Sequence, residues 1–168
     1  GSSEKLDSCF RRNDMPVKLI QEIKEGNYQM AYSKTLNFVF RFPTKIIFGP
    51  GTAKEVGMEV EELKGTKALI VTDRDLVKTD LVKIVRDALG AKCVGIFYDV
   101  TPDTGVHIVN SGSEYGRTLG VDILVSVGGG SAIDTAKGMA ICLTKGGRLE
   151  DYAGLNILGG PVMPHIVI

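Results

Sequence analysis

Ser126-Val127-Gly128-Gly129-Gly130-Ser131-Ala132-Ile133-Asp134-Thr135-Ala136-Lys137 is the stretch on which the fold turns. An apolar strand, Asp122 to Val127, runs straight into three glycines, a serine and the start of a helix. Residues without a Cβ let a ligand come close to the backbone. The helix behind them opens with unpaired N–H groups and the positive end of its dipole. Strand, glycine turn and helix in that order make a shelf for a phosphate, and so for a nucleotide cofactor. Ser131, followed three residues later by Asp134, also has the spacing of a capping box, which gives both side chains a purely structural reading. Capping does not account for three consecutive glycines, which lose backbone entropy in any ordinary turn.

The same grammar repeats on either side. Ala68 to Val71 is apolar throughout, and Leu81 to Leu89 follows as a helix capped at Thr79 or Asp80 and ended by Gly90. Cys93 to Phe97 is the next strand and Gly105 to Leu119 the next helix. Ala132 to Leu143 is helical until Gly146-Gly147 breaks it, and His165 to Ile168 starts a further strand. Strands apolar along their whole length, alternating with helices, predict a parallel sheet covered on both faces. The expected fold is a doubly wound, Rossmann-like α/β domain. Ligands of such sheets bind beyond the carboxyl ends of the strands. The glycine run occupies one such end, and Asp73, directly after Leu69-Ile70-Val71-Thr72, occupies another.

Ahead of the sheet, Phe38, Phe40 and Phe42 alternate with Val39 and Arg41, and Lys45 to Phe48 forms a second short strand, giving a strand pair. Thr52, with Glu55 at the capping-box position, opens a helix with Val56, Val60 and Leu63 as its apolar stripe, and Gly65 stops it. Residues 1–35 read as an N-terminal extension, a partly disordered, mobile arm in which Val17 to Ile23 forms a short helix ending at Gly26. Residues 36–168 then form the dinucleotide-binding domain.

Composition narrows the function classes. A chain of 168 residues with 43% apolar and 24% charged residues has enough material for one domain with a real core. Its 20 basic and 20 acidic residues cancel, which argues against nucleic acid as a partner. No apolar run reaches the length of a membrane span, so no membrane association is expected. Gly1-Ser2 has the look of a cleavage scar, and no signal peptide is expected. Cys9, Cys93 and Cys142 are scattered and odd in number; Cys93 and Cys142 read as small core hydrophobes of a cytoplasmic protein. His107 and His165 have no acidic partners at metal-binding spacing, so no metal ligand is assigned. No Ser-His-Asp or Cys-His arrangement is visible, so no catalytic residue is assigned either.

The expected cofactor-binding set is Asp73, Gly128, Gly129, Gly130, Ser131, Asp134 and Lys137. An acidic side chain at Asp73 accepts hydrogen bonds from ribose hydroxyls and repels a 2′-phosphate, favouring NAD over NADP. It equally suits a turn over Thr72 to Asp75. Lys137, one turn past Asp134, either reaches toward a phosphate or a reacting group or is an ordinary solvated lysine. There is no GxGxxG, and the glycines follow the third strand of the series, so these residues alone equally suit a mononucleotide or inorganic phosphate.

Three segments carry a more specific likeness: Phe42-Pro43-Thr44-Lys45-Ile46-Ile47-Phe48-Gly49-Pro50-Gly51, Leu69-Ile70-Val71-Thr72-Asp73, and Gly128-Gly129-Gly130-Ser131-Ala132-Ile133-Asp134-Thr135-Ala136-Lys137. In this order the stretch from Phe38 to Ile168 resembles the amino-terminal domain of the iron-containing (group III) alcohol dehydrogenases. The resemblance does not cover the residues before Leu36. It implies that the glycine run and Ser131 hold a pyrophosphate and Asp73 the adenosine ribose of NAD(P). It also implies an oxidoreductase passing hydride between a small alcohol or aldehyde and the nicotinamide, with iron or zinc polarising the substrate oxygen. The family's nicotinamide-site loop and helical metal-binding domain have no counterpart in these residues, so NAD binding with little or no turnover is expected of this chain. Pro102-Asp103 departs from the Pro-Thr frequent in the family, in a loop expected near the adenine. Self-association through exposed strands, as a homo-oligomer or as a subunit of a split enzyme, is the competing expectation. A third keeps the fold and makes this a domain of a glycerol dehydrogenase or a dehydroquinate synthase-like enzyme.

Overall fold

The structure, a computed structural model, describes residues 44–154 and 157–168. Contacts divide the chain between Lys45 and Ile46, and the sheet with its helices belongs to the unit Ile46–Ile168. Four strands form one sheet: β1 (Ala68–Asp73), β2 (Cys93–Val100), β3 (Ile123–Ser126) and β4 (His165–Val167). Their order is β2-β1-β3-β4, and every neighbouring pair is parallel. The helices are α1 (Val56–Glu62), α2 (Asp80–Leu89), α3 (Val106–Leu119) and α4 (Gly130–Lys145). The expected doubly wound sheet is therefore present.

Alternation along the two central strands explains why both faces are covered. Leu69, Val71 and Leu124 turn to one face, where Val109 of α3 and Ala132, Ala136, Met139 and Ala140 of α4 pack on them. Ala68, Ile70, Ile123 and Val125 turn to the other, against Val56 and Val60 of α1 and Val82, Val85 and Leu89 of α2. Residues 68 to 72 are all buried, as a central strand with no polar face requires. The chain leaves β1 toward β2 over the face of α2 and returns past β1 to β3 over the face of α3. That reversal puts the topological switch point between the carboxyl ends of β1 and β3.

Several boundaries differ from expectation for identifiable reasons. Lys45 to Phe48 carries no strand, and Ile46 and Phe48 are left 69% and 98% exposed. Its expected partner, Phe38 to Phe42, lies outside the described residues, as does the whole extension 1–35. Thr52 does not cap a helix; its hydroxyl donates to the Gly49 carbonyl at 3.1 Å, and a 3₁₀ turn over Thr52–Glu55 leads into α1. The left-handed residue closing α1 is Lys64, with φ of 61°, and not Gly65. Lys64 N–H donates to the Glu61 carbonyl at 2.9 Å and Gly65 N–H to the Val60 carbonyl at 2.8 Å, the paired bonds of a Schellman ending. Gly65 is small for packing: a Cβ there would lie 2.7 Å from Ile123 Cγ2.

Asp122 precedes β3 and does not pair in it. Its carboxylate accepts the Thr66 N–H at 2.9 and 3.0 Å, the Lys67 N–H at 2.8 Å and the Thr66 hydroxyl. Burial acts to raise its pKa, but the hydrogen bonds from Thr66 and Lys67 prevail and hold it below the ordinary carboxylate value. The pinned carboxylate thus stabilises the fold above about pH 4, the unfolded value, and that contribution is lost as pH falls through the lower folded value. Asp122→Asn should lower stability at pH 7 by about 1.5–3 kcal/mol, the scale of hydrogen bonds to a charged group. The gap to the unsubstituted chain should narrow at pH 3. Thermal unfolding at the two pH values checks this, and an equal gap at both would exclude the carboxylate's charge as the source.

Candidate functional site

The ladder of the sheet ends at the glycine run, and its last hydrogen bonds show what is left over. Val127 N–H donates to the Val71 carbonyl at 2.9 Å, and Gly128 N–H to the Ile168 carbonyl at 3.0 Å. Thr72, fully buried, donates its hydroxyl to the Val127 carbonyl at 2.9 Å and ties β1 to the turn from below. Ala132 and Ile133 both direct their N–H groups to the Gly129 carbonyl, at 3.0 and 3.2 Å. Between them the N–H groups of Gly129, Gly130 and Ser131 have no hydrogen-bond partner among the described residues. Three donors therefore face outward at the positive end of a sixteen-residue helix, α4.

The three glycines are not equivalent. Gly128 has φ of 139°, a conformation closed to ordinary side chains, and an added Cβ would sit 3.0 Å from Leu76 Cδ1. The turn itself needs this glycine. Gly129 has φ of −81°, which any residue adopts, and a Cβ on Gly129 or Gly130 would meet nothing within 4 Å. Nothing inside the protein asks those two positions to lack a side chain. The space their Cβ atoms would fill is a cradle open to a ligand.

The capping box read from Ser131 and Asp134 does not form. Helix α4 starts at Gly130, two residues before the expected start, with Gly129 as N-cap and no side-chain cap. Ser131 is half-buried, and its hydroxyl takes no partner among the described residues. Asp134 instead pairs with Lys137 Nζ at 3.2 Å, an exposed contact of little energetic weight. Asp73 closes β1, and its Oδ1 accepts the N–H groups of Asp75 at 2.9 Å and Leu76 at 2.8 Å. The turn reading of Asp73 is thus realised, and it leaves Oδ2 without a partner among the described residues.

Beside the shelf lies a groove of about 510 Å³. Gly130, Ser131, Asp134 and Thr135 of α4 form one wall, Asp103 and Thr104 of the β2–α3 loop another, and Val106, Val109 and Leu149 an apolar side. It brings together three of the expected residues, Gly130, Ser131 and Asp134, and not Asp73, Gly128, Gly129 or Lys137. Thr135 and Leu149 join them without having been expected. Thr135 lies one helical turn from Ser131 and bonds its hydroxyl to Thr104 Oγ1 at 3.0 Å, which that spacing alone does not reveal. Asp103, the departure in the β2–α3 loop, has φ of 51°, a left-handed conformation that Asp tolerates.

His165 lies within electrostatic reach of Lys137. Its Nε2 lies 2.8 Å from Ser126 Oγ, which is fully buried. Burial first, and then the positive charge of Lys137, push the imidazole down to about 4. No group of three or more His, Cys, Asp or Glu among the described residues could hold a metal ion, so this donor set does not fit one. No helix among them is long and apolar enough to cross a membrane.

A parallel sheet with an uncapped helix behind glycines at its switch point is the architecture of a doubly wound, Rossmann-like α/β domain. The profile of the family "Iron-containing alcohol dehydrogenase" matches residues 43–168, and the chain belongs to that family. It is similar to an NAD-dependent methanol dehydrogenase of Bacillus methanolicus, 38% identical over 133 residues, covering 77% of this chain and 34% of that protein. It is 36% identical over 176 residues to alcohol dehydrogenase 4 of Schizosaccharomyces pombe, covering 97% of this chain and 42% of that one. That alignment reaches into the segment before Leu36. Among solved structures, sulfoacetaldehyde reductase from Bifidobacterium kashiwanohense in complex with NAD+ superposes with a TM-score of 0.73 at 26% identity, over 79% of this chain and 35% of that one. The chain spans about a third of the length of most of these relatives.

The glycines separate in a stability measurement. Gly128→Ala should destabilise by about 1–3 kcal/mol through backbone strain. Gly130→Ala should be neutral or stabilising by up to about 1 kcal/mol, since Ala favours the helix it enters. Equal effects at the two positions in denaturant unfolding would contradict the geometry. An NMR titration of His165 should show it neutral through pH 5, and Lys137→Met should raise its pKa while leaving it below the ordinary 6.5. Because the folded value lies below the unfolded one, His165 withdraws stability as pH falls from about 6.5 toward 4.

Proposed function

We propose that this chain is the nucleotide-cofactor-binding part of an iron-type alcohol dehydrogenase, and that it holds NAD at the carboxyl ends of β1 and β3. The observation that carries the reading is the unpaired trio of N–H groups at Gly129, Gly130 and Ser131, over a cradle that two Cβ atoms would fill. Those donors suit the pyrophosphate, with the Ser131 hydroxyl beside them. The free oxygen of Asp73 suits a ribose hydroxyl and repels a 2′-phosphate. Asp134 accepts hydrogen bonds in the groove, and Lys137 adds positive charge on the same helix. When bound, NAD supplies the hydride acceptor; what these residues do is bind and orient it. Membership of the family and the NAD-bound relative support the choice of cofactor. The enzyme's reaction would be the family's, between a small alcohol or aldehyde and NAD. The donors among the described residues do not fit a metal.

Calorimetric titration tests the reading. The unsubstituted chain should bind NAD saturably, and Gly129→Val should weaken binding at least tenfold, about 1.4 kcal/mol, while thermal unfolding shows the fold retained with at most a modest loss of stability at the N-cap. Valine binding NAD as well as glycine would show that the cradle is not the site. Asp73→Asn keeps an oxygen for the Asp75 and Leu76 N–H groups and replaces the free, charged oxygen by an uncharged NH2 donor. It should shift the NADP-to-NAD affinity ratio toward NADP by roughly tenfold; an unchanged ratio would remove Asp73 from the ribose contact.

A further inference from the structure

Asn110 is a buried amide on α3, 5% exposed, that faces the short turn after α4. Both ends of its side chain are used. Its Oδ1 accepts the Leu149 N–H at 2.9 Å, and its Nδ2 donates to Glu150 Oε2 at 2.8 Å. The turn, Leu149–Tyr152, does not need this to form. Asp151 already accepts the Arg148 N–H at 2.8 Å and caps it, and the Tyr152 hydroxyl donates to the Gly146 carbonyl at 3.0 Å. Arg117, also on α3, fixes the segment leading into the turn by donating to the Gly147 carbonyl at 2.7 Å and the Cys142 carbonyl at 3.0 Å.

What the Asn110 clamp adds is the position of one residue. Leu149 is half-buried against the α3–α4 core and forms the apolar side of the groove together with Val106 and Val109. Asn110 itself does not line the groove. The groove shares Gly130 and Ser131 with the phosphate shelf, and it offers an apolar side with the carboxylates of Asp103 and Asp134 nearby. An aromatic ring with an amino donor, as in the adenine of adenosine, matches that lining; a bare phosphate does not use it.

We propose that Asn110 is a positioning residue: by clamping Leu149 through its backbone N–H and Glu150, it sets the width of the groove and so the grip on the adenosine part of a nucleotide, without acting on the phosphates. This rests on the nucleotide-binding reading above. Asn110→Asp keeps the acceptor for Leu149 but sets a carboxylate against Glu150, replacing a bond with a repulsion. Asn110→Asp combined with Glu150→Gln restores a donor–acceptor pair with its polarity reversed. Glu150→Gln alone keeps an acceptor for Asn110 and removes only an exposed pair with Arg148, so it serves as the control.

Calorimetry at pH 7.5 with ADP and with inorganic pyrophosphate reads the effect. Asn110→Asp should weaken ADP about tenfold and leave pyrophosphate within about twofold, and the double variant should return ADP to within about threefold of the unsubstituted chain. Parallel weakening of both ligands would mark Asn110 as merely structural and overturn the proposal. So would unchanged ADP binding in Asn110→Asp, or a double variant that does not recover. An unsubstituted chain that binds pyrophosphate but not ADP would overturn this inference and keep the shelf. One that binds neither would overturn the nucleotide reading itself.

Discussion

One backbone angle governs the carboxyl end of the sheet: φ of 139° at Gly128. Strand β3 is hydrogen-bonded on both sides, to β1 and to β4, up to its last residue. Helix α4 must then start within a few residues and return over the same sheet. A single sharp turn meets both demands, and only glycine adopts it without strain. Because the turn is completed at Gly128, the next two positions are free of conformational duty. Their bare backbone and the uncapped start of α4 follow from that one constraint. The shelf is where the local architecture runs out of its own hydrogen-bond acceptors.

The groove beside it is built differently. Its walls come from α3, α4 and the turn beyond, all on one face of the sheet, and polar side chains set their spacing. Thr135 holds the β2–α3 loop through Thr104, and Asn110 and Arg117 hold the turn after α4. Every buried side-chain polar atom among the described residues has a partner. The unpaired donors are backbone groups on the outer surface of the turn, where a ligand or water reaches them.

Much of this was legible in the sequence. Uninterrupted apolar strands and interposed helices revealed the sheet, because burial on both faces leaves no room for polar residues in β1 or β3. The glycine run marked the sharp turn between β3 and α4, because glycine is a poor choice unless the backbone must turn or be approached. The start of α4 was misplaced because the Ser131–Asp134 pattern imitates a capping box, and local patterns cannot show that the β4 ladder has already ordered the turn. No spacing in the sequence marks Thr135, Asn110 or Leu149 as part of the groove's framework. Their roles come from contacts between segments about thirty to forty positions apart, and no spacing rule encodes those. Lys45 to Phe48 has strand-like composition but no ladder among the described residues, and composition alone cannot supply a neighbour.

The pin at Asp122 has a consequence for how the domain assembles. It joins residues 56 positions apart, and the Thr72 bond to Val127 at the opposite end of the same β1–β3 seam spans 55. The central seam of the sheet can close only after α2, β2 and α3 have been laid down and folded back, so its loop-closure entropy is met late. Folding is then slow relative to a chain of local hairpins of the same length, and the shelf cannot exist in any half-formed state. A ligand that needs the shelf meets only the finished domain, and its binding draws the folding equilibrium toward it by mass action.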